Sequence, residues 1–511
     1  MPQSLPPRPN LEHLKNQAKD LLRSYRAGDP SAARRFRESS QSGQDVPDAP
    51  HPAPSISLAN AQCVIAREYG FESWTKLKEH VEAVRLDSGD PMELCHEAFK
   101  EDDAALLRLV LERHPALKAR INDPIGPFDS PPLLNVRSRA MLDVLLEAGA
   151  DINARSRWWA GGFGLLDQAP PELANYAIQR GAVIDVHAAA RLGFLEKLRE
   201  RVEADPALVH ARGGDGQTPL HFASTVEIAA FLLDHGAEID ARDVDHESTP
   251  AQYMLSDRQD IARFLVQRGC RTDLLMAASL GDLALTRRHL DADPGCIHLR
   301  VTDEFFPKSR SRSGGTIYQW TLGWHASPHE VAERFGHVDV ARLLQERSSV
   351  EVRLIVACWA GNEDAVGALL GEHPGLTARL SEAYRRHVAH AARNNKTDAV
   401  RLMLEAGLPI DALGQHRATP LHWASFHGNA DMARVLLRYN PPLEARDADF
   451  ASTPLGWAIH GSQHGWHCKS GDYVGVVTQL LAAGAKIPDR NDGSEEVKAA
   501  IRAATSTPPR R

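Results

Sequence analysis

The feature that most restricts how this 511-residue chain can fold is a helix-start signal that keeps returning: Ser130-Pro131, Thr218-Pro219, Thr249-Pro250, Ser327-Pro328, Thr419-Pro420 and Thr453-Pro454. A Ser or Thr hydroxyl caps the free N–H groups of a new helix, and Pro suits the first helical position, where its missing N–H costs nothing. In the best copy, Arg417 to Asp447, Thr419 and Pro420 start one helix and Gly428 is placed for the left-handed turn that ends it. A second helix is predicted from about Ala430 to Arg438, with Met432, Val435, Leu436 and Leu437 on its apolar side. Neither helix is long enough to bury that side alone, so the unit must stack on copies of itself. Repeat ends recur to match, as in Leu145-Leu146-Glu147-Ala148-Gly149-Ala150-Asp151, Leu232-Leu233-Asp234-His235-Gly236-Ala237-Glu238, Leu404-Glu405-Ala406-Gly407 and Leu480-Leu481-Ala482-Ala483-Gly484-Ala485.

Thr-Pro-Leu-His-x-Ala, followed by a Gly-polar turn, a Leu-Leu helix and an Asp-bearing connector, resembles the ankyrin repeat. The interval from Thr419 to Thr453 is 34 residues and from Thr218 to Thr249 is 31, near that repeat's period of about 33. The resemblance implies an all-α fold: an ankyrin-repeat solenoid of helix-turn-helix units with hairpin fingers, about twelve repeats over 90–488, several degenerate. It also implies that His221 and His422 are structural, each bonded to the capping Thr. At Ser327-Pro328 the motif departs, since His329 stands at the Leu position and Glu330 at the His position. A second variant lacks the Thr-Pro start and ends in His114-Pro115, Asp205-Pro206, Asp293-Pro294 or His373-Pro374. The first helices of these units align on Ala98, Ala189, Ala277 and Ala357, at intervals of 91, 88 and 80 residues, which suggests a block of three repeats and a change of curvature at each Pro turn.

Ahead of the array, residues 1–87 read as a small helical cap. Asn10 is placed to cap a helix that ends at Gly28, Pro30 starts a short basic helix, and two more helices run from Ser57 and Ser73 on either side of Gly70. Residues 39–55, rich in Ser, Pro, Gly and Asp, read as a flexible linker. Leu14 to Leu22 and Ala66 to Trp74 resemble the leader of some bacterial ankyrin-repeat proteins, and the stretch from about 300 to 488 resembles the same proteins through Ile317-Tyr318-Gln319-Trp320-Thr321-Leu322-Gly323, Phe335-Gly336-His337 and Thr453-Pro454-Leu455-Gly456-Trp457. Residues 489–511 are expected to form a C-terminal cap and tail.

A net charge of −8 argues against a chain-wide nucleic-acid surface. No apolar run approaches 18 residues and no signal segment is legible, so a cytoplasmic protein without a membrane span is expected. The six cysteines are scattered without a CxxC pair, and neither a zinc module nor a disulfide framework is indicated. No nucleophile elbow, P-loop, HExxH or dinucleotide fingerprint is present, so neither a catalytic residue nor a cofactor is assigned.

Function is sought where the repeat is broken. Trp158 and Trp159 sit in a Gly-rich loop. The longest insertion, 303–325, carries Phe305, Phe306, Tyr318, Trp320, Trp324 and His325 around a tip with Lys308, Arg310 and Arg312, and is expected to extend a hairpin finger beside the concave face. A third stretch, 456–473, lengthens the turn between two helices and holds Trp457, His460, His464, Trp466, His467 and Cys468; its spacing matches no metal motif. With Trp423 of the best repeat, the candidate contact residues are Trp158, Trp159, Phe305, Phe306, Tyr318, Trp320, Trp324, His325, Trp423, Trp457, His460 and Trp466. The leading reading is a non-enzymatic scaffold that binds another protein through the concave face and fingers. The alternative is a small-molecule-binding protein or enzyme with an aromatic and His-lined site at 303–329 or 456–473.

Overall fold

The computed structural model describes residues 4–6, 9–39, 56–488 and 492–506. Residues 40–55 of the expected linker, and 489–491 and 507–511 of the expected tail, lie outside the described residues. The chain divides into two units, one of Met1–Ala204 with Arg212–Gly216, the other of Asp205–Ala211 with Gln217–Arg511.

In the first unit, Asn10 Oδ1 accepts from the Glu12 and His13 N–H groups and caps Leu11–Arg26. Pro30–Ser39, Leu58–Glu68 and Trp74–Ser88 follow, and the four helices share a core that includes Leu14, Leu21, Phe36, Ile65, Leu77 and Val81. Arg35 grips Glu68 with two parallel bonds of 2.7 and 2.8 Å. A second core, around Leu94, Ala98, Leu107, Met141, Leu145 and Leu173, gathers Pro91–Glu101, Ala104–Arg113, Arg139–Glu147 and Pro171–Gln179.

The second unit is a succession of short helix pairs. Pro219–Phe222 with Val226–Asp234, Pro250–Tyr253 with Gln259–Gln267, Pro328–Arg334 with Val338–Arg347, Pro420–His427 with Ala430–Leu437, and Pro454–His464 with Tyr473–Ala482 all start at a Ser/Thr-Pro signal. Leu274–Leu280, Val350–Trp359 and His387–Arg393 start pairs that lack it. The first helix is only four residues long at Thr218 because Thr225 already caps the next helix, leaving no room for the Gly turn; this accounts for the 31-residue interval. At the best repeat, Gly428 takes φ +63°, and a Cβ there would meet the Tyr473 ring at 2.8 Å. Each of Pro115, Pro206 and Pro294 opens a 3-10 turn, and Leu376–Arg379 follows Pro374, so the Pro turns end one helix and begin another short coil in a fixed way.

The buried histidine of the motif ties two pieces of chain together. The Thr419 N–H donates to His422 Nδ1 at 3.1 Å, the Thr419 hydroxyl lies 2.8 Å from the same atom, and His422 Nε2 reaches the Ser452 carbonyl at 3.1 Å. His221 repeats the arrangement with Thr218 and the Ser248 carbonyl. Where Glu330 replaces the His, its carboxylate accepts from the Ser327 N–H and hydroxyl, both at 3.1 Å, and a capping box takes over. His329 turns instead to the Ser348 hydroxyl, 2.9 Å away.

Asp447 builds the adjoining finger by accepting from the Asp449, Phe450 and Ser452 N–H groups and from Trp457 Nε1–H, at 2.7 to 3.0 Å. Asp243 does the same with His246, Ser248 and Tyr253. The long insertion packs on the 243–248 finger. Glu247 accepts from the Ser309 and Arg310 N–H groups, the Ser313 hydroxyl donates to the Asp245 carbonyl, and the Gly314 N–H donates to that carbonyl at 3.0 Å. Polar backbone in a loop this long needs partners, and the neighbouring finger supplies them.

Because His422 joins a helix start to the next finger, His422→Ala removes a side chain that satisfies buried groups on both. We expect it to lower unfolding free energy by about 2–3 kcal/mol, read as a lower urea midpoint by tryptophan fluorescence; an unchanged midpoint would contradict the tie.

Candidate recognition face

In the first helices of four consecutive pairs, a buried alanine sets the register: Ala357, Ala391, Ala424 and Ala458. The residue before each is Val356, His390, Trp423 or Trp457, and the residue two after is Trp359, Arg393, Phe426 or His460. Positions three apart share one helix face, so stacking these helices lays the eight side chains out in two adjacent rows. The rows touch. Trp423 meets Trp457 edge-on at 5.0 Å, Phe426 lies 5.8 Å from Trp457, and His416 and Phe450 of the fingers extend the ring system past Trp457.

Two insertions close over this surface. After Pro454–His464, Gly465 approaches so closely that a Cβ would sit 2.6 Å from both the Gly461 carbonyl oxygen and the Tyr473 hydroxyl. That turn swings Trp466 back over Trp423 at 6.1 Å, Phe426 at 5.3 Å and His427 at 5.5 Å. From the other side, a π-turn at Gln319–Gly323 leads into His325, held at φ +64°. His325 stacks on His390 with ring centres 3.8 Å apart, and Trp324 covers the Arg393 guanidinium, its Cζ 4.6 Å from the ring centre. Arg393 also lies 5.5 Å from the rings of Trp423 and Trp466, so three tryptophans surround one cation. Its Nε donates to Gln415 Oε1 at 2.7 Å, which fixes the plane of the guanidinium.

The histidines beneath are uncharged. Burial, reinforced by the neighbouring Arg300, holds His387 well below its usual range and His390 at about 4. His325 is held well below by burial and by His390 and His387 beside it. The Trp359 indole N–H donates to His387 Nδ1 at 3.0 Å, placing the His387 proton on Nε2. Burial brings His427 to about 4, although its Nε2 contacts the Arg393 carbonyl at 2.8 Å. Burial also lowers Arg393 to about 10, which leaves it cationic at neutral pH. Among the described residues, Trp324 Nε1, Trp423 Nε1, His325 Nδ1, Ser425 Oγ and His427 Nδ1 are buried without a hydrogen-bond partner.

The structure thus unites Trp324, His325, Trp423, Trp457 and Trp466 of the sequence candidates, with Trp359, His387, His390, Arg393, Phe426 and His427 added. Of the missed residues, Trp359, His387, His390 and Arg393 lie in degenerate repeats and Phe426 and His427 in the best copy; alignment on the buried alanine picks out Trp359, His390, Arg393 and Phe426. The other candidates lie elsewhere. In the first unit, Trp158 donates Nε1–H to Asp215 at 2.9 Å and meets Phe128 edge-on at 5.1 Å, with Trp159 6.1 Å away. Tyr318 is fully buried, gives its hydroxyl to Asp273 at 2.9 Å and packs against Phe306 at 5.3 Å, whereas Phe305 remains exposed. Trp320 is 76% exposed. His460 pairs with His464 at 4.8 Å one helical turn on, while His467 turns to His427 at 5.3 Å; among the described residues these histidines and Cys468 bring no three ligand atoms together.

The buried neutral histidines give stability a pH dependence of definite sign. Their folded-state affinity for protons is depressed, so their contribution is complete above the unfolded value of about 6.5 and is lost as pH falls toward about 4. Each contributes a slope of up to about 1.4 kcal/mol per pH unit in that window. We expect the melting temperature to be flat from pH 8 to 7 and to fall steeply between pH 6 and 4.5; a flat profile through pH 5 would show that these groups are not buried neutral.

A family model described as ankyrin repeats matches residues 186–296, 354–447 and 387–491. The E3 ubiquitin-protein ligase XB3 of rice is 35% identical over 98 residues, 19% of this chain and 22% of the ligase. The palmitoyltransferase Hip14 of Drosophila melanogaster is 40% identical over 63 residues, 12% of this chain and 10% of that protein. The chain thus spans about a fifth or less of these two relatives. The probable 26S proteasome regulatory subunit p28 of yeast is 26% identical over 210 residues, 35% of this chain and 91% of the subunit. No helix among the described residues is long and apolar enough to cross a membrane. With short helix pairs, Thr-Pro-x-His ties and Asp-built fingers on one side and the family match on the other, the chain carries ankyrin repeats in an all-α fold.

Proposed function

We propose that the chain is a protein-binding scaffold and that its contact surface is the face built on Trp324, His325, Arg393, Trp423, Phe426, Trp457 and Trp466. The observation that carries this is the continuity of the ring system across consecutive repeats while its edges stay in solvent: Trp466 is 59% exposed and Phe450 68%. Aromatic and Arg side chains on a rigid floor are the anchors that dominate protein interfaces, and the extended surface suits a partner's chain. The yeast relative, named as a subunit of a larger assembly, supports the same reading. Phe305, Trp320, Trp158 and Trp159 are proposed as secondary contacts, the cytoplasm as the compartment, and the helical N-terminal segment as the leader of a bacterial-type ankyrin protein that caps the array.

The test is capture from lysate of the source cell by the full chain and by a Phe450→Ala/Trp466→Ala variant. Both side chains are largely exposed, so the variant should melt within a few degrees of the parent. Loss of two anchors is expected to weaken a bound protein at least tenfold. A protein retained equally by both forms would move the interface off this face.

A further inference from the structure

We infer that this face recognises a carboxylate on its partner, held against the guanidinium of Arg393 within the tryptophan cage. The inference rests on the scaffold reading and specifies the chemistry of the partner. Arg393 is three-fold ringed by indoles, and among the described residues the one hydrogen bond of its side chain is the one from Nε to Gln415. No Asp or Glu among the described residues forms an ion pair with it; Asp303 acts only from a distance. A cation taken largely out of water without a counter-charge is a costly arrangement. Arg258, comparably buried, shows the usual remedy, donating to the His221 and Ala223 carbonyls at 3.0 and 2.9 Å. Among the described residues the terminal nitrogens of Arg393 have no such acceptors.

A second observation concerns the cage itself. Trp324 and Trp423 both lie against the guanidinium, and both indole N–H groups are buried with no acceptor. Trp423 is only 3% exposed. The guanidinium is a donor with no accepting capacity, so what its terminal nitrogens lack is an acceptor with several lone pairs. A planar carboxylate matches the guanidinium fork bidentately. Gln415 occupies Nε and sets the plane, leaving the two terminal nitrogens as the fork. Trp466, mostly exposed beside the cation, is placed to cover the apolar residues that flank the carboxylate.

The carboxylate can belong to an Asp or Glu side chain or to a C-terminus, and one selection distinguishes them. The full chain is panned against random peptides displayed once with free C-termini and once internally. We expect enriched peptides with an acidic group at a fixed position beside apolar residues; enrichment of an Asp or Glu in both formats assigns the side chain, and enrichment only with free C-termini assigns the terminus. Binding of a selected peptide should fall at least tenfold with Arg393→Gln, and equally when the peptide's acid is made an amide, with no further loss when both changes are combined. Arg393→Lys, which keeps the charge and loses the fork, should fall between. Peptides that need Phe450 and Trp466 but carry no preferred acid, or that bind Arg393→Gln unchanged, overturn the carboxylate while leaving the scaffold standing. No enrichment, or enrichment indifferent to Phe450→Ala/Trp466→Ala, overturns both.

Discussion

The second unit depends on a histidine that does no chemistry. His422 accepts from the start of its own helix and donates to the chain leading into the next, so one imidazole sets the spacing between a first helix and the following finger. It can do so only as the neutral tautomer with the proton on Nε2, and burial enforces that state. The donor–acceptor pattern thereby fixes the rotation of the first helix, and rotation decides which residues face inward. Ala424 turns to the neighbouring helices because His422 has been pinned; Trp423 and Phe426 fall on the outer rows as a geometric consequence.

The same constraint can be met by other side chains, and the chain uses several. Glu330 supplies a capping box where the His is absent, while His387 receives the Trp359 indole where no Thr-Pro start exists. The degenerate repeats are therefore still anchored, and at His387 the donor, the buried Trp359 indole, is itself a member of the rows. Removing the standard tie from a repeat frees its outward positions for other residues and obliges them to carry part of the register. His325, His387 and His390 cluster near Arg300, where burial first and the nearby cation second keep the imidazoles neutral, and neutral imidazoles stack where charged ones would repel.

The repeat units were legible because their signals are local. Thr419, Pro420 and Gly428 act within one helix, and each does what its chemistry dictates. The exposed face was only half legible, since residues in different repeats meet through the stack. Trp423 and Trp457 stand out as aromatics in clear copies of the motif, whereas Arg393 and His390 occupy the same rows in a copy with neither Thr-Pro nor Gly, where no local cue marks them. The 303–325 insertion went the other way. The ankyrin resemblance marks it as a lengthened finger, but the acceptors it packs on, Glu247 and Asp245, lie more than fifty residues earlier in the chain. Tyr318, singled out as an aromatic contact, is claimed by Asp273 for the same reason.

Stability and recognition share the same short helices. At Ala357, Ala391, Ala424 and Ala458 adjacent helices meet, and an added methylene there would have to displace packed neighbours. Outward sites of the same helices hold Val, His or Trp in one row and Trp, Arg, Phe or His in the other without altering the backbone between them. The stack tolerates this because each side chain of a row packs on its neighbours in the row, and Trp359, Trp423 and Trp457 are at the same time part of the core. The arrangement at Arg393, a cation in a cage whose donors are unmet, is destabilising for a fold considered alone, and the alanines and ties beneath it are what allow the chain to hold it in place.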